Sequence, residues 1–240
     1  MPKAAKSFSD LTAIILAGGL GTRLRNSVPD RPKVLAEVRG RPFLTYVLDQ
    51  LQEAGTTEVV LCTGYLGEQI ENLLGATYGG MRLSYSRETE PRGTAGALRL
   101  ALPLVKSDPV VVLNGDSVCF TDLKEMWEWH DSKNAAASIL LMQVPEMLRY
   151  GQVQITPETA AITRFDEKGL ASGSGWVSAG VYIVSLKMIA EIPSGSFISL
   201  EEQTFPSWIG RGLLGYQVAG DFLDIGTPES YENAAKFIKD

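Results

Sequence analysis

The sequence predicts an α/β fold in which a doubly wound, mostly parallel sheet carries an added β-rich lobe. Strand-like and helix-like segments alternate through the first half of the 240 residues, which is the pattern of a parallel sheet covered by helices. The second half holds mainly strand-like segments joined by short loops. The first apolar run, Thr12–Ala17, ends in a cluster of glycines, and in such sheets ligands bind outside the carboxyl ends of the strands.

The first half is predicted to contain four strands and four helices. The helix from Pro42 to Ala54 carries apolar residues at i, i+3, i+4 and i+7, has proline at its first position and is followed by Gly55. The other predicted elements of this half, in chain order, are the strands 12–17, 57–62, 81–86 and 109–113, the helices 66–74 and 94–102, and a helix capped by Thr121.

The second half changes in character without a linker. We predict strands over 135–144, 151–155, 162–165 and 176–184, and helices over 200–205 and 228–238. No proline- or serine-rich linker, repeat or low-complexity tract separates the two halves. We therefore treat 1–240 as a single domain, with a core over about residues 10–132 and a β-rich lobe with closing helices over about residues 133–240.

Composition and charge exclude several classes of function. The net charge is −6 and no basic stripe is present, so we expect no nucleic-acid partner. The two cysteines have no metal-binding spacing, which argues against zinc and fits free thiols in a reducing compartment. The first ten residues lack the apolar core of a signal peptide, and no apolar run reaches the length of a membrane span. We expect a cytoplasmic protein without a membrane partner.

The glycine cluster after the first strand predicts a phosphate-binding loop. Its bare backbone can wrap phosphate groups, and Arg23 and Lys33 supply two cations, so we predict a nucleoside triphosphate. A dinucleotide fingerprint is excluded because Leu24 stands where the third glycine belongs, and no Walker string occurs. A purely structural turn would not need the two cations. The residues predicted to bind the nucleotide here are Leu16, Ala17, Gly18, Gly19, Gly21, Thr22 and Arg23.

Two aspartates follow predicted strands and are candidates for a metal site. Asp116 comes directly after the strand 109–113 and Asn114-Gly115, and Asp224 ends another apolar segment. Carboxylates at two strand ends can share one Mg²⁺, which prefers oxygen ligands. At each position the alternative is a loop aspartate that caps a turn. Together with the glycine loop, the metal interpretation is favoured.

Three further positions have a functional and a structural interpretation. Lys168 could meet a sugar phosphate from the second half, or it could be the charged tip of a hairpin. The small residues from Gly93 could let a flat base lie against a helix start, or they could reflect tight packing. His130 lies on an apolar helix face and is interpreted as structural; with one histidine, a Ser–His–Asp hydrolase has little support.

Together these motifs resemble the sugar-1-phosphate nucleotidyltransferase family, in the family's order and across nearly the whole chain. The matching segments are 16–24, 32–33, 93–97, 114–116, 167–168 and 224–228. The resemblance implies a Rossmann-like, glycosyltransferase-A-like nucleotide-binding core, a sugar-binding lobe and Mg²⁺. Within the family, the segments 23–33 and 40–44 look closest to bacterial guanylyltransferases that act on D-glycero-α-D-manno-heptose 1-phosphate for capsule or other surface polysaccharides.

The resemblance also implies roles for individual residues. A phosphate oxygen of the sugar 1-phosphate attacks the α-phosphorus of the triphosphate, GTP in this subgroup, and pyrophosphate leaves. Arg23, Lys33 and Lys168 would be catalytic, and Asp116 and Asp224 would hold Mg²⁺. The remaining implied nucleotide contacts are Glu90, Gly93, Thr94, Asn114 and Gly115. The implied sugar contacts are Tyr150, Gly151, Glu167, Lys168, Ser178, Ala179 and Gly180.

Several alternatives stay open at this point. Ser178 stands where the family often has asparagine, so the sugar could also be mannose 1-phosphate or another sugar 1-phosphate. A metal-dependent glycosyltransferase normally has an Asp-x-Asp pair, whereas this chain has Asp116-Ser117-Val118. A non-catalytic nucleotide-sugar sensor or regulatory subunit would be expected to lack at least one of the charged residues. The family also includes proteins that self-associate, which leaves a homo-oligomer open.

Overall fold

The computed structural model describes residues 6–24, 27–145, 150, 152–165 and 173–238. Its strands are β1 (Thr12–Leu16), β2 (Glu37–Val38), β3 (Arg41–Pro42), β4 (Glu58–Thr63), β5 (Thr77–Tyr78), β6 (Met81–Arg87), β7 (Val110–Asn114), β8 (Ser117–Cys119), β9 (Ala137–Val144), β10 (Val153–Ile155), β11 (Ile162–Phe165), β12 (Gly175–Val184), β13 (Leu213–Val218) and β14 (Phe222–Asp224). Its α-helices are α1 (Phe43–Glu53), α2 (Gly67–Leu74), α3 (Gly93–Ala101), α4 (Leu123–Ser132), α5 (Leu186–Glu191), α6 (Phe205–Ser207) and α7 (Pro228–Phe237).

An eight-stranded sheet forms the centre, in the order β13–β9–β12–β7–β1–β4–β6–β5. Strands β7, β1, β4 and β6 run parallel to one another, while β12 is antiparallel to both β7 and β9, and β5 is antiparallel to β6. The predicted α/β class with a mostly parallel sheet is therefore confirmed. Within the described part of the chain, no helix has the length and apolarity needed to span a membrane.

Helices cover both faces of this sheet, as the prediction of a doubly wound fold requires. In β1, Ile15 packs into one buried cluster and Ile14 into the other, so the strand is apolar on both sides. The stripe predicted on α1 is fully buried in the first cluster; it consists of Leu44, Val47, Leu48 and Leu51. The second cluster includes the buried side chains of α3 and α5.

The β-rich second half is more closely joined to the core than the sequence suggested. Strands β9, β12 and β13 continue the central sheet instead of forming a sheet of their own. Outside that sheet, β10 pairs with β11, and β14 pairs with β8 from the first half. The two halves therefore share one sheet, and both contribute residues to each of the two buried clusters. The predicted division near residue 132 stays a prediction.

Several predicted boundaries were wrong for local physical reasons. Asp122, and not Thr121, caps α4: its carboxylate accepts hydrogen bonds from the backbone amides of Lys124 at 2.8 Å and Glu125 at 3.4 Å. Pro42 lies in the short strand β3, so α1 begins one residue later than predicted. The helix α5 was not predicted, and the segment predicted as the helix 200–205 begins with π-helical turns over Leu200–Thr204.

His130 has the structural role that its position on α4 predicted. The ring is 4% exposed, its Nδ1 lies 2.7 Å from the Ser138 hydroxyl, and it stacks on Trp127. Burial disfavours the charged ring and lowers the pKa of His130 to about 4. The folded protein therefore keeps this histidine neutral, as expected for a residue with a structural role.

This burial makes stability depend on pH. Between pH 6.5 and about 4 the unfolded chain binds a proton at His130 that the folded chain does not, so the free energy of unfolding falls as the pH falls through this window. The contribution of this group is about 3 kcal/mol. Urea unfolding at pH 7 and pH 4.5 should show a smaller pH dependence for His130→Gln than for the wild type. Equal pH dependence in both proteins would contradict the assignment.

Candidate active site

The carboxyl ends of neighbouring strands bring the predicted nucleotide-binding segments to one edge of the sheet. The backbone amide of Gly115, after β7, donates to the carbonyl of Leu16 at the end of β1, at 2.9 Å. The amide of Ala17 donates to Cys62 of β4 at 2.9 Å, and the amide of Glu88 donates to Thr63 at 2.8 Å. The glycine loop, Asn114-Gly115 and the end of β6 therefore share one cleft edge.

Lys33 and Asp116 meet at this edge although they are 83 residues apart. The Lys33 ammonium donates to Oδ2 of Asp116 in an ion pair that is mostly shielded from solvent. Gly21 has a φ of +60°, and a Cβ placed there would lie 3.1 Å from Cβ of Lys33, so the glycine loop passes directly over the lysine. Burial acts to raise the pKa of Asp116, but the ion pair with Lys33 and the hydrogen bonds from Lys33, the backbone and Ser117 together outweigh it, so the pKa lies below its ordinary value.

Asp224 is brought next to Asp116 by the pairing of β14 with β8. Asp224 lies opposite Ser117 in this pair, and the amide of Ile225 donates to the carbonyl of Asp116 at 3.0 Å. The Asp224 carboxylate accepts hydrogen bonds from the amide of Gly226 at 2.9 Å and from the hydroxyl of Tyr150 at 2.7 Å. Tyr150, predicted on the sugar side, is therefore tied to the second carboxylate.

These two carboxylates are the candidates for holding a hard divalent cation. Among the described residues, no group of three or more histidine, cysteine or acidic side chains could hold a metal by itself. Mg²⁺ usually takes one or two carboxylates and completes its shell with water and substrate phosphates. Asp116 and Asp224 are therefore the residues that could hold it, with phosphate oxygens supplying further ligands.

The start of α3 is closely packed. This agrees with the structural interpretation of the small residues that begin at Gly93. Gly93 has a φ of +69°, and a Cβ there would lie 2.4 Å from the carbonyl oxygen of Ile198. The same carbonyl accepts the amide of Ala95 at 2.9 Å, and the Thr94 hydroxyl accepts the amide of Leu200 at 2.8 Å. Packing alone thus explains the need for glycine here. The nucleoside contacts of Gly93 and Thr94 stay predictions.

The predicted sugar-side strand approaches Asn114. Gly180 has a φ of +75°, and a Cβ there would lie 2.7 Å from Nδ2 of Asn114, so only glycine leaves room for the amide. The Ser178 hydroxyl lies 3.4 Å from that of Tyr182. The side chain of Ala179 packs in the hydrophobic core, so only its backbone could meet a sugar, and the predicted contact stays a prediction. Three other predicted positions lie outside the described residues: Gly151, Glu167 and Lys168.

Glu88 lies beside the glycine loop and was not among the predicted site residues. Its Oε2 lies 2.9 Å from the position a Cβ would take on Gly18, so it faces the glycine loop. Its Oε1 is buried and has no hydrogen-bond partner among the described residues. Desolvation raises the pKa of Glu88, and Arg92 opposes this shift. By contrast, Glu90, which the sequence analysis chose, is exposed. Glu88 lies two residues after the strand predicted over 81–86 and directly after the observed β6.

Comparison with known proteins identifies the family. A family model described as nucleotidyl transferase matches residues 12–240. The D-glycero-alpha-D-manno-heptose 1-phosphate guanylyltransferase of Aneurinibacillus thermoaerophilus is 40% identical over 228 residues, which are 94% of this chain and 97% of that relative. The chain belongs to the nucleotidyltransferase family.

Two further proteins are similar to this nucleotidyltransferase. A crystal structure of HddC from Yersinia pseudotuberculosis complexed with GMP-PN has a TM-score of 0.83 and 30% identity, covering 95% of this chain and 100% of that chain. The mannose-1-phosphate guanylyltransferase catalytic subunit beta of Xenopus tropicalis is 34% identical over 226 residues. These residues are 92% of this chain and 62% of that relative. The family resemblance inferred from the motifs is confirmed.

The site provides the charges that nucleotidyl transfer requires. Arg23 is exposed in the glycine loop and, within the described ranges, its guanidinium makes no ion pair, so it can take a phosphate. Lys33 is held nearby by Asp116. The attacking group in such a reaction is an anionic phosphate oxygen, so no strong base is needed. The nucleotidyltransferase can therefore act by positioning and charge stabilisation alone.

Proposed function

We propose that this enzyme condenses a sugar 1-phosphate with GTP to form a GDP-sugar and pyrophosphate, and that the sugar is D-glycero-α-D-manno-heptose 1-phosphate. The meeting of the glycine loop, Lys33 and two carboxylates at one sheet edge carries the proposal. The similarity to the heptose 1-phosphate guanylyltransferase of Aneurinibacillus thermoaerophilus supports the choice of substrates. We place the reaction in the cytoplasm, as a supply of activated heptose for capsule or other surface polysaccharide.

In this proposal each charged residue has one task. Arg23 binds the triphosphate and the departing pyrophosphate, and Lys33 neutralises charge near the α-phosphate. Lys168 holds the sugar phosphate in line for attack. Asp116 and Asp224 would hold Mg²⁺, which would supply positive charge to stabilise the charge that develops on the phosphates. The ion pair with Asp116 holds the Lys33 ammonium at the cleft edge, where the nucleotide phosphates would bind.

We assign recognition of guanine to Glu88. Guanine presents two adjacent donors, N1–H and the 2-amino group, and a carboxylate can accept from both. The buried Oε1 of Glu88, which has no hydrogen-bond partner in the described part of the chain, is such an acceptor, and its neighbour Oε2 faces Gly18. A buried acceptor that lacks a donor is costly, so a base with two donors is favoured over one without them.

Mannose 1-phosphate is the second candidate for the sugar. The mannose-1-phosphate guanylyltransferase of Xenopus tropicalis aligns with 92% of this chain at 34% identity. The chain spans only 62% of that relative, whereas it spans 97% of the heptose relative. The heptose is therefore the first choice.

A matrix of substrates tests the proposal. Each of the common nucleoside triphosphates is mixed with heptose, mannose and glucose 1-phosphates, and pyrophosphate release is measured with Mg²⁺ and with EDTA. We expect GTP with the heptose 1-phosphate to react fastest, and EDTA to abolish the reaction. Activity with UTP or dTTP but not with GTP would overturn the assignment of guanine, and release of GDP from a GDP-sugar would indicate a glycosyltransferase instead.

A further inference from the structure

The carboxylate of Asp224 accepts a hydrogen bond at each of its oxygens. Its Oδ1 accepts the backbone amide of Gly226 at 2.9 Å, and its Oδ2 accepts the hydroxyl of Tyr150 at 2.7 Å. A Cβ placed on Gly226 would lie 2.8 Å from Oδ1, so the glycine leaves the room that the first contact needs. One oxygen is therefore held by a local turn and the other by a tyrosine 74 residues earlier in the chain.

Tyr150 packs against the face of β14 that carries Asp224. Phe222 and Asp224 are two residues apart in this strand, so their side chains lie on the same face of it. The Tyr150 ring packs edge-on against the Phe222 ring, with the centroids 5.6 Å apart, while the hydroxyl reaches Asp224. Aromatic pairs favour this edge-to-face arrangement. Phe222 therefore holds the ring in the place from which the hydroxyl can donate to the carboxylate.

The hydroxyl of Tyr150 is a neutral donor, whereas Lys33 brings a positive charge to Asp116. The hydrogen bond from Tyr150 therefore orients the Asp224 carboxylate without cancelling its charge. A carboxylate offers about four acceptor positions, and the hydrogen bonds from Tyr150 and Gly226 use two of them. These two contacts can fix the group and still leave acceptor positions for a cation.

We propose that Tyr150 is a positioning residue that acts through Asp224 and sets the affinity of the site for a divalent cation. Groups that hydrogen-bond to a metal ligand fix its orientation, and their loss typically lowers metal affinity by about 10- to 100-fold. Tyr150 is such a partner for Asp224. The inference rests on the proposed function, because it takes Asp224 to be a ligand of Mg²⁺. It differs from the predicted sugar contact of Tyr150, which would change sugar binding and not metal binding.

Mn²⁺ binding in the absence of any sugar tests the inference. Mn²⁺ prefers the same oxygen ligands as Mg²⁺ and is detected by electron paramagnetic resonance. It is titrated into the enzyme, which is kept in excess over a non-hydrolysable GTP analogue so that the nucleotide is bound. Tyr150→Phe keeps the ring and removes the hydroxyl, so its dissociation constant for Mn²⁺ should rise by about tenfold. In turnover assays, the Mg²⁺ concentration that gives half the maximal rate should rise by a similar factor.

Two further variants test whether the effect depends on the observed contacts. Asp224→Ala should also weaken Mn²⁺ binding, and adding Tyr150→Phe to it should change nothing further, because the partner of the hydroxyl is already absent. Phe222→Leu removes the ring that holds Tyr150. It should weaken Mn²⁺ binding in the otherwise wild-type chain but not in the Tyr150→Phe background.

Tyr78→Phe is the matched control. The Tyr78 hydroxyl also donates to an aspartate, Asp49, at 2.7 Å. Tyr78 pairs with Met81 at the start of β6, which is the end of that strand opposite the cleft. Loss of this hydroxyl should leave both Mn²⁺ binding and turnover unchanged.

The possible failures of the inference and of the proposed function can be told apart. Equal Mn²⁺ affinity in the wild type and Tyr150→Phe would overturn the inference, and a higher KM for the sugar 1-phosphate alone would then assign Tyr150 to the sugar. A further loss of affinity from Tyr150→Phe in the Asp224→Ala background would also overturn it. Wild-type Mn²⁺ affinity in Asp224→Ala would overturn the metal assignment and the inference together. A wild type that binds Mn²⁺ but releases pyrophosphate with no substrate pair would overturn the proposed reaction, and the binding data would still decide the role of Tyr150.

Discussion

Replacing Lys33 with alanine should lower turnover by at least about a hundredfold while the chain still folds. The ammonium is held at the cleft edge by Asp116 and lies under the glycine loop, where it can neutralise charge on the α-phosphate. Loss of one such charge contact in a shielded site costs about 3 kcal/mol in the transition state. Pyrophosphate release at saturating GTP and sugar 1-phosphate measures the loss, and circular dichroism checks the fold.

Lys106→Ala is the matched control for this variant. Lys106 also pairs with a carboxylate, that of Glu58 at 2.9 Å, but both side chains lie at the amino-terminal start of β4, at the opposite end of that strand from the cleft. Its removal should leave turnover unchanged, since an exposed pair contributes little. Near-normal turnover in Lys33→Ala would remove the role assigned to Lys33, whatever the control shows.

Glu88→Gln should lower kcat/KM for GTP by at least about a hundredfold, because glutamine offers one acceptor and one donor where guanine needs two acceptors. Hydrogen bonds to a charged group contribute about 1.5–3 kcal/mol each, and this substitution disturbs two. Inosine triphosphate, which lacks the 2-amino group, gives a second measurement. The wild type should prefer GTP to ITP, and the variant should largely lose that preference.

Glu90→Gln is the comparison variant, since Glu90 is only two residues from Glu88 but is exposed. We expect it to keep the preference for GTP over ITP. If Glu90→Gln loses this preference while Glu88→Gln keeps it, recognition of guanine belongs to Glu90. The buried, unpartnered oxygen of Glu88 would then need a different explanation.

The local patterns in the chain were enough to predict most of the fold. The stripe on α1 and the continuous apolar runs of β1, β4 and β7 are short-range signals that tertiary packing did not override. Errors occurred where neighbouring residues compete for the same task. Thr121 and Asp122 could both cap α4, and the better-placed carboxylate did so. For Glu88 and Glu90, which are two residues apart, burial is the difference that the structure adds, and the nucleotide contact of Glu90 stays a prediction.

The sequence by itself determined that the glycine loop and Asp116 lie at one edge of a parallel sheet, because the carboxyl ends of parallel strands meet there. It could not determine which side chains touch across that edge. The ion pair of Lys33 with Asp116 and the contact of Gly180 with Asn114 depend on strand order and register. Both are set by how the whole chain packs, since residues far apart in sequence have no local pattern that reports their contact.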